Sequence, residues 1–290
     1  VPVRERALLF GEGKGLVGIV SDADGGNASP TGVLLLNAGV LHRVGPNRVH
    51  VRLARALADG GLVAMRFDFS GLGDSRPARD ALPFAERARQ EIQAATEALG
   101  ALRGCRRFLL MGICSGADAA LRAAARDERV VGAALIEAYA ERRPGFLAYS
   151  YRRKLLSPRA WLRLLAGRSE LWSSLRRPSA AAPGGAPDPG PPAEAPSDSS
   201  LLPSPAEMRD EIRGLLGRGA HICFVYSADS PAYFNYRTLL GRELRPALRS
   251  GRARLEVLRG TDHVFTPLAV QDRLVEALVA WAREAASEVA

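Results

Sequence analysis

Apolar runs alternate with amphipathic stretches along most of the chain. The runs Ala7–Phe10, Leu16–Ser21, Val33–Asn37, Leu62–Phe67, Arg107–Gly112, Val130–Glu137, His221–Ser227 and Ala253–Leu258 read as strands. Between them, Asn47–Ala58, Leu82–Leu102, Ser115–Ala125, Pro205–Leu216, Tyr233–Leu248 and Ala269–Ala285 read as helices. Eight strands with intervening helices predict an α/β architecture: a mostly parallel eight-stranded sheet with helices on both faces. The first two strands have no helix between them and should form an antiparallel hairpin at one edge.

Two stretches break the alternation. Residues 141–177 combine aromatic and aliphatic residues with ten Arg or Lys against only Glu141 and Glu170, a local net charge of +8. They are expected to form a basic helical cap. Residues 178–205 are rich in Pro, Ala, Gly and Ser, and hold nothing bulkier than Glu before Leu201. Such a composition buries too little apolar surface to offset the entropy of ordering, so a disordered linker is expected there. The core is thereby expected in two parts, 1–140 and 206–290.

Composition changes this picture little. At 47% hydrophobic and 24% charged residues the chain is ordinary for a globular protein. It contains no run of about 18 uncharged apolar residues, so no membrane span is expected. The start Val-Pro-Val-Arg-Glu-Arg does not resemble a secretory signal. Cys105, Cys114 and Cys223 are odd in number and show neither pairing nor metal-ligand spacing. A reducing, cytoplasmic location and no metal or cofactor are the expectations. The net charge of +9 does not by itself indicate a nucleic acid. Its clustering in 141–177 suits an acidic partner better.

The candidate chemistry starts from Gly112-Ile113-Cys114-Ser115-Gly116, which follows a predicted strand and opens a predicted helix. A nucleophile on so sharp a turn needs small residues two before and two after it, because strand and helix come into close contact there. In this frame the nucleophile is Cys114. Sliding the frame to Ser115 would put Ile113 and Ala117 at the small positions, a poorer fit. Cys105 and Cys223 lie in or beside strands and should be inert.

This small-x-nucleophile-x-small turn resembles the nucleophile elbow of the α/β-hydrolases, and the resemblance covers residues 1–140 and 206–290. The block from Asn37 to Ser75, with His42-Arg43-Val44-Gly45-Pro46-Asn47-Arg48 and Arg66-Phe67-Asp68, looks like the bacterial hydrolases associated with exosortase systems, as does Asp262-His263-Val264-Phe265-Thr266. A cysteine at the elbow is also similar to dienelactone hydrolase and to the aminoacyl-shuttling transferases of nonribosomal peptide assembly lines.

The resemblance implies an α/β-hydrolase fold and a triad in the chain order nucleophile, acid, histidine. Cys114, Asp229 and His263 obey that order, with Glu137 as a rival for the acid. The resemblance also implies an oxyanion hole made by the backbone N–H groups of Ser115 and Gly39, Ser115 contributing nothing more. A helix N-terminus and a histidine partner should lower the thiol pKa. His42 and Arg43 flank the Gly39 loop and could touch substrate. Asp68, Asp74 and Asp262 read as turn carboxylates.

The expected activity is cysteine-dependent acyl transfer from an ester or thioester through a thioester acyl-enzyme. The acyl acceptor stays open between water, which makes a hydrolase, and a carrier-bound thiol, which makes an acyltransferase or aminoacyl shuttle. An acidic carrier protein would suit the basic cap. The rival from another class is a non-catalytic binding protein on the same fold.

Overall fold

The computed structural model describes residues 3–23, 29–141, 143–146, 149 and 204–288. The predicted cap (141–177) and linker (178–205) fall, but for a few residues, outside the described residues. The chain divides there into a core, Val1–Glu141 with Leu202–Ala290, and a second unit, Arg142–Leu201.

Within the core the strands are β1 (Val3–Phe10), β2 (Leu16–Ala23), β3 (Thr31–Leu36), β4 (Val63–Phe67), β5 (Arg107–Ile113), β6 (Val130–Ile136), β7 (His221–Ser227) and β8 (Ala253–Leu258). The helices are α1 (Val49–Asp59), α2 (Phe84–Arg103), α3 (Ser115–Arg126), α4 (Pro205–Gly217), α5 (Pro231–Asn235), α6 (Arg245–Arg249) and α7 (Leu268–Ser287). One sheet joins all eight strands in the order β1-β2-β4-β3-β5-β6-β7-β8. β2 pairs antiparallel with both β1 and β4, and every other pairing is parallel.

The continuous apolar strands follow from covering both faces of the sheet. Leu34 and Leu36 of β3 face the layer that holds α2, α3 and α4, while Val33 and Leu35 face α1 and α7. Tyr233–Leu248, expected as one helix, is broken into α5, a π-helical turn Tyr236–Leu240, and α6. Gly241 lies in the break, and Pro246, which lacks an N–H to continue a helix, sits in the first turn of α6.

The strand order reverses direction between β3 and β5, since the chain steps outward from β3 to β4 and returns on the other side. Such a switch opens a crevice beyond the C-terminal ends of the strands. The loops after β3, β5, β6, β7 and β8 all leave the sheet at this end, and they carry Gly39, Cys114, Glu137, Asp229 and His263.

Candidate active site

Cys114 lies between β5 and α3 with φ 56° and ψ −124°, a left-handed conformation that costs a non-glycine residue free energy. The neighbouring glycines show why it persists. A Cβ on Gly112 would sit 2.2 Å from backbone atoms of Gly116, and one on Gly116 would sit 2.2 Å from the Asn37 carbonyl oxygen. Strand, helix and the loop after β3 therefore meet backbone to backbone around Cys114. The Ser115 frame has no such requirement at Ile113 or Ala117. The Cys114 amide donates to Ile136 O at 2.8 Å, fixing the elbow against the end of β6.

The elbow and the loop after β3 are in direct contact. The Gly39 N–H donates to Ser115 Oγ at 2.9 Å, so Ser115 adds a side-chain contact that the sequence did not suggest. Behind Gly39 the loop is held by a buried polar network. Asn37 Nδ2 donates to Leu41 O (2.7 Å) and Asp68 Oδ1 (3.1 Å), and its Oδ1 accepts the Phe69 N–H at 2.9 Å. Asp68, fully buried, also accepts the Arg43 N–H at 2.5 Å and pairs with the Arg43 guanidinium, which reaches Asp74 at 2.7 Å.

Arg43 is thus engaged inside the loop instead of being free for substrate, and only half-exposed His42 presents itself at the surface. His42, Asp68 and Asp74 are close enough to hold a metal ion, but the Arg43 guanidinium already supplies the positive charge: it pairs with both carboxylates and lies 2.8 Å from His42 Nε2.

His263 and Asp229 are exposed residues on the loops after the neighbouring strands β8 and β7. Among the described residues, no hydrogen bond or ion pair joins His263 to Cys114 or to Asp229. The His263 loop itself is well fixed. Asp262 accepts from the Thr266 N–H (2.9 Å) and hydroxyl (2.7 Å), as its reading as a turn carboxylate implies, and Asn47 Nδ2 reaches across from the loop after β3 to Val264 O at 3.2 Å.

Glu137 follows β6 beside the elbow, with φ 52° and 1% exposure. One carboxylate oxygen accepts the Ser227 N–H, while Oε2 is buried with no hydrogen-bond partner among the described residues. Burial raises its pKa, an effect that Ser227 and Ser230 only partly offset.

Electrostatics around the thiol run against the expectation from sequence. The Cys114 pKa is raised, first by burial and then by the negative charges of Asp118 and Glu137, while the Ser115 N–H alone acts in the other direction. These surroundings favour the thiol over the thiolate. Cys105 and Cys223 are more deeply buried, and desolvation pushes them up to about 11 and about 12.

Asp118, one turn along α3, is the group that sequence reading missed, although its spacing of four residues from Cys114 on a helix was visible. Its Oδ1 accepts the Tyr139 N–H at 3.1 Å, and burial lifts its pKa from 3.8 to about 7. Between those values the folded protein keeps a proton that the unfolded chain releases, so this group makes stability fall as pH rises through that window. Asp118→Asn should flatten that fall and move the pH profile of Cys114 alkylation by iodoacetamide to lower pH. An unmoved alkylation profile would mean that the Asp118 charge does not reach the sulfur.

The architecture has counterparts among solved structures. A dienelactone hydrolase from Anabaena variabilis superposes with a TM-score of 0.56 at 14% identity, covering 97% of this chain and 98% of the other. An esterase from Pyrococcus furiosus gives 0.57 at 12% identity over 98% and 92%. A dienelactone hydrolase-like promiscuous phosphotriesterase from metagenomic libraries gives 0.55 at 14% identity over 98% and 99%. The chain has the α/β-hydrolase fold. No protein-family model matches the sequence, and no curated protein matches it either. At these identities the likeness carries the fold and leaves the chemistry to the residues. Cys114 lies at the turn from β5 into α3 of that fold. Among the described residues, no helix is long and apolar enough to cross a membrane.

Proposed function

We propose that the protein is a cysteine-dependent acyl hydrolase acting on a small ester or thioester. The observation that carries this reading is the placement of Cys114: a partly exposed thiol on a strained elbow, at the crevice end of the sheet, beside the Ser115 and Gly39 amides. Of the three cysteines it alone combines access with a surrounding hydrogen-bond donor. The solved structures that share the fold include esterases and a dienelactone hydrolase, which agrees with ester chemistry.

The reaction follows from these groups. As substrate enters, His263 takes the Cys114 thiol proton and the sulfur adds to the carbonyl carbon. The carbonyl electron pair moves onto oxygen, which the oxyanion donors stabilise. Collapse expels the alkoxide or thiolate, which recovers the proton from His263 and leaves a thioester on Cys114. Water, deprotonated by His263, then releases the acid and restores the thiol. Asp229 orients the imidazole. The hydrogen bonds of His263 to Cys114 and to Asp229 form in the substrate complex, where catalytic hydrogen bonds commonly tighten.

The test is intact-protein mass spectrometry after mixing with an activated acyl thioester, alongside steady-state turnover. Wild type should carry one acyl group on Cys114. Cys114→Ala should carry none and lose turnover by roughly 10,000-fold or more. An adduct that persists in Cys114→Ala would refute the assignment. No adduct or turnover in wild type with any ester or thioester would favour a binding protein on this fold.

A second reading differs only in the acceptor. Sulfur as nucleophile makes acyl exchange between thioesters close to balanced, and the +8 charge of residues 141–177 suits an acidic carrier domain. Release of acyl product to a carrier thiol faster than to water would establish it.

A further inference from the structure

The oxyanion hole expected from the sequence consists of two amides, but the Gly39 amide is already engaged. It donates to Ser115 Oγ at 2.9 Å. Gly39 lies exposed at φ 57°. With the loop held from behind by Asn37, the bond to Ser115 ties its amide to the first turn of α3.

A hydroxyl has two acceptor sites and one donor. Accepting the Gly39 N–H leaves the Ser115 O–H unspent, and none of the described residues accepts a hydrogen bond from it. Ser115 Oγ is the side-chain oxygen next in sequence to Cys114, in the first turn of α3. Resting on the proposed function, we infer that the Ser115 hydroxyl is itself an oxyanion donor, with the Gly39 amide standing behind it.

The chain Gly39 N–H to Ser115 Oγ, and Ser115 O–H to the reacting oxygen, is cooperative. Accepting the amide hydrogen polarises the hydroxyl and strengthens its own donation. The reacting oxygen then receives two hydrogen bonds from one residue, the Ser115 N–H and the Ser115 O–H. The hydroxyl bond is worth most as the carbonyl oxygen becomes charged, because hydrogen bonds to an ionised acceptor are about twice as strong as those to a neutral one. It should therefore act on the chemical step more than on substrate binding.

The experiment pairs kinetics with adduct mapping. Ser115→Ala should lower kcat about 100-fold with KM little changed, the usual effect of losing one oxyanion donor, and Ser115→Thr, which keeps the hydroxyl, should recover most of it. An aldehyde inhibitor that adds to Cys114 should bind Ser115→Ala more weakly by a similar factor, while a non-reacting amide analogue of the substrate binds both alike. The acyl adduct of Ser115→Ala should still map to Cys114. Wild-type or higher kcat in Ser115→Ala, with that adduct on Cys114, would overturn the hydroxyl role alone and leave Gly39 as the direct donor. An adduct on Ser115 in Cys114→Ala would overturn the hydroxyl role and the proposed function together.

Discussion

Gly112→Ala and Gly116→Ala should each destabilise the protein by roughly 3 kcal/mol or more, at the upper end for overpacked sites. In both, the added methyl would lie 2.2 Å from backbone atoms, of Gly116 in the first case and of Asn37 in the second, and backbone in a packed elbow cannot swing aside as a flexible side chain can. Gly214→Ala is the control. It lies within α4 with no atom within 4 Å of its Cβ position, and it should stabilise by about 0.5–1 kcal/mol through helix propensity. Urea unfolding midpoints measure all three. Wild-type stability in Gly112→Ala would show that strand and helix do not pass this closely, and the elbow at Cys114 would fall with it.

The second large effect is expected at Arg43. Removing its guanidinium in Arg43→Met strands the fully buried Asp68 carboxylate, which among the described residues pairs with no other cation except half-exposed His42 when protonated. Breaking a buried pair from one side typically costs about 3–5 kcal/mol. The loss should exceed that of Asp74→Asn, whose carboxylate is solvent-exposed and contributes correspondingly less. Adding Asp68→Asn to Arg43→Met should restore part of the stability, since no unpaired charge then remains. Equal losses in Arg43→Met and Asp74→Asn would mean that Asp68 does not depend on this partner. Because Asp68 and Asn37 also hold the loop that carries Gly39, activity should fall further than the stability change alone explains.

Much of this fold is legible in the sequence because the central strands, β3 to β7, are buried on both faces. Their apolar runs are uninterrupted, and β7 and β8 begin and end where the runs do. The edge hairpin follows from the missing helix between β1 and β2. Local signals failed where the deciding partner is distant. Tyr233–Leu248 has helical composition, but Gly241 and Pro246 divide it. The thiol was read from its two favourable neighbours, a helix N-terminus and a histidine. Burial, Asp118 and Glu137 outweigh the first, and the second makes no hydrogen bond to the sulfur among the described residues. Arg43 looked like a substrate ligand because its loop borders the site. Only the fold shows that Asp68, 25 residues away, draws it inward.

The segment just after β6 has a further consequence. Before the chain reaches Arg142, Asp118 holds the Tyr139 amide, while Asn235 Nδ2 donates to the carbonyls of Tyr139 and Glu141 at 2.8 Å each. Two helices of the core thus anchor the departing strand from opposite ends of the sequence, and Glu137 and Tyr139 both adopt left-handed conformations to meet them. The chain leaving β6 is therefore held by the same core that fixes Cys114, whose amide donates to Ile136 O at the end of that strand. Asp118 and Asn235 thereby tie the surroundings of Cys114 to the course the chain takes on leaving β6.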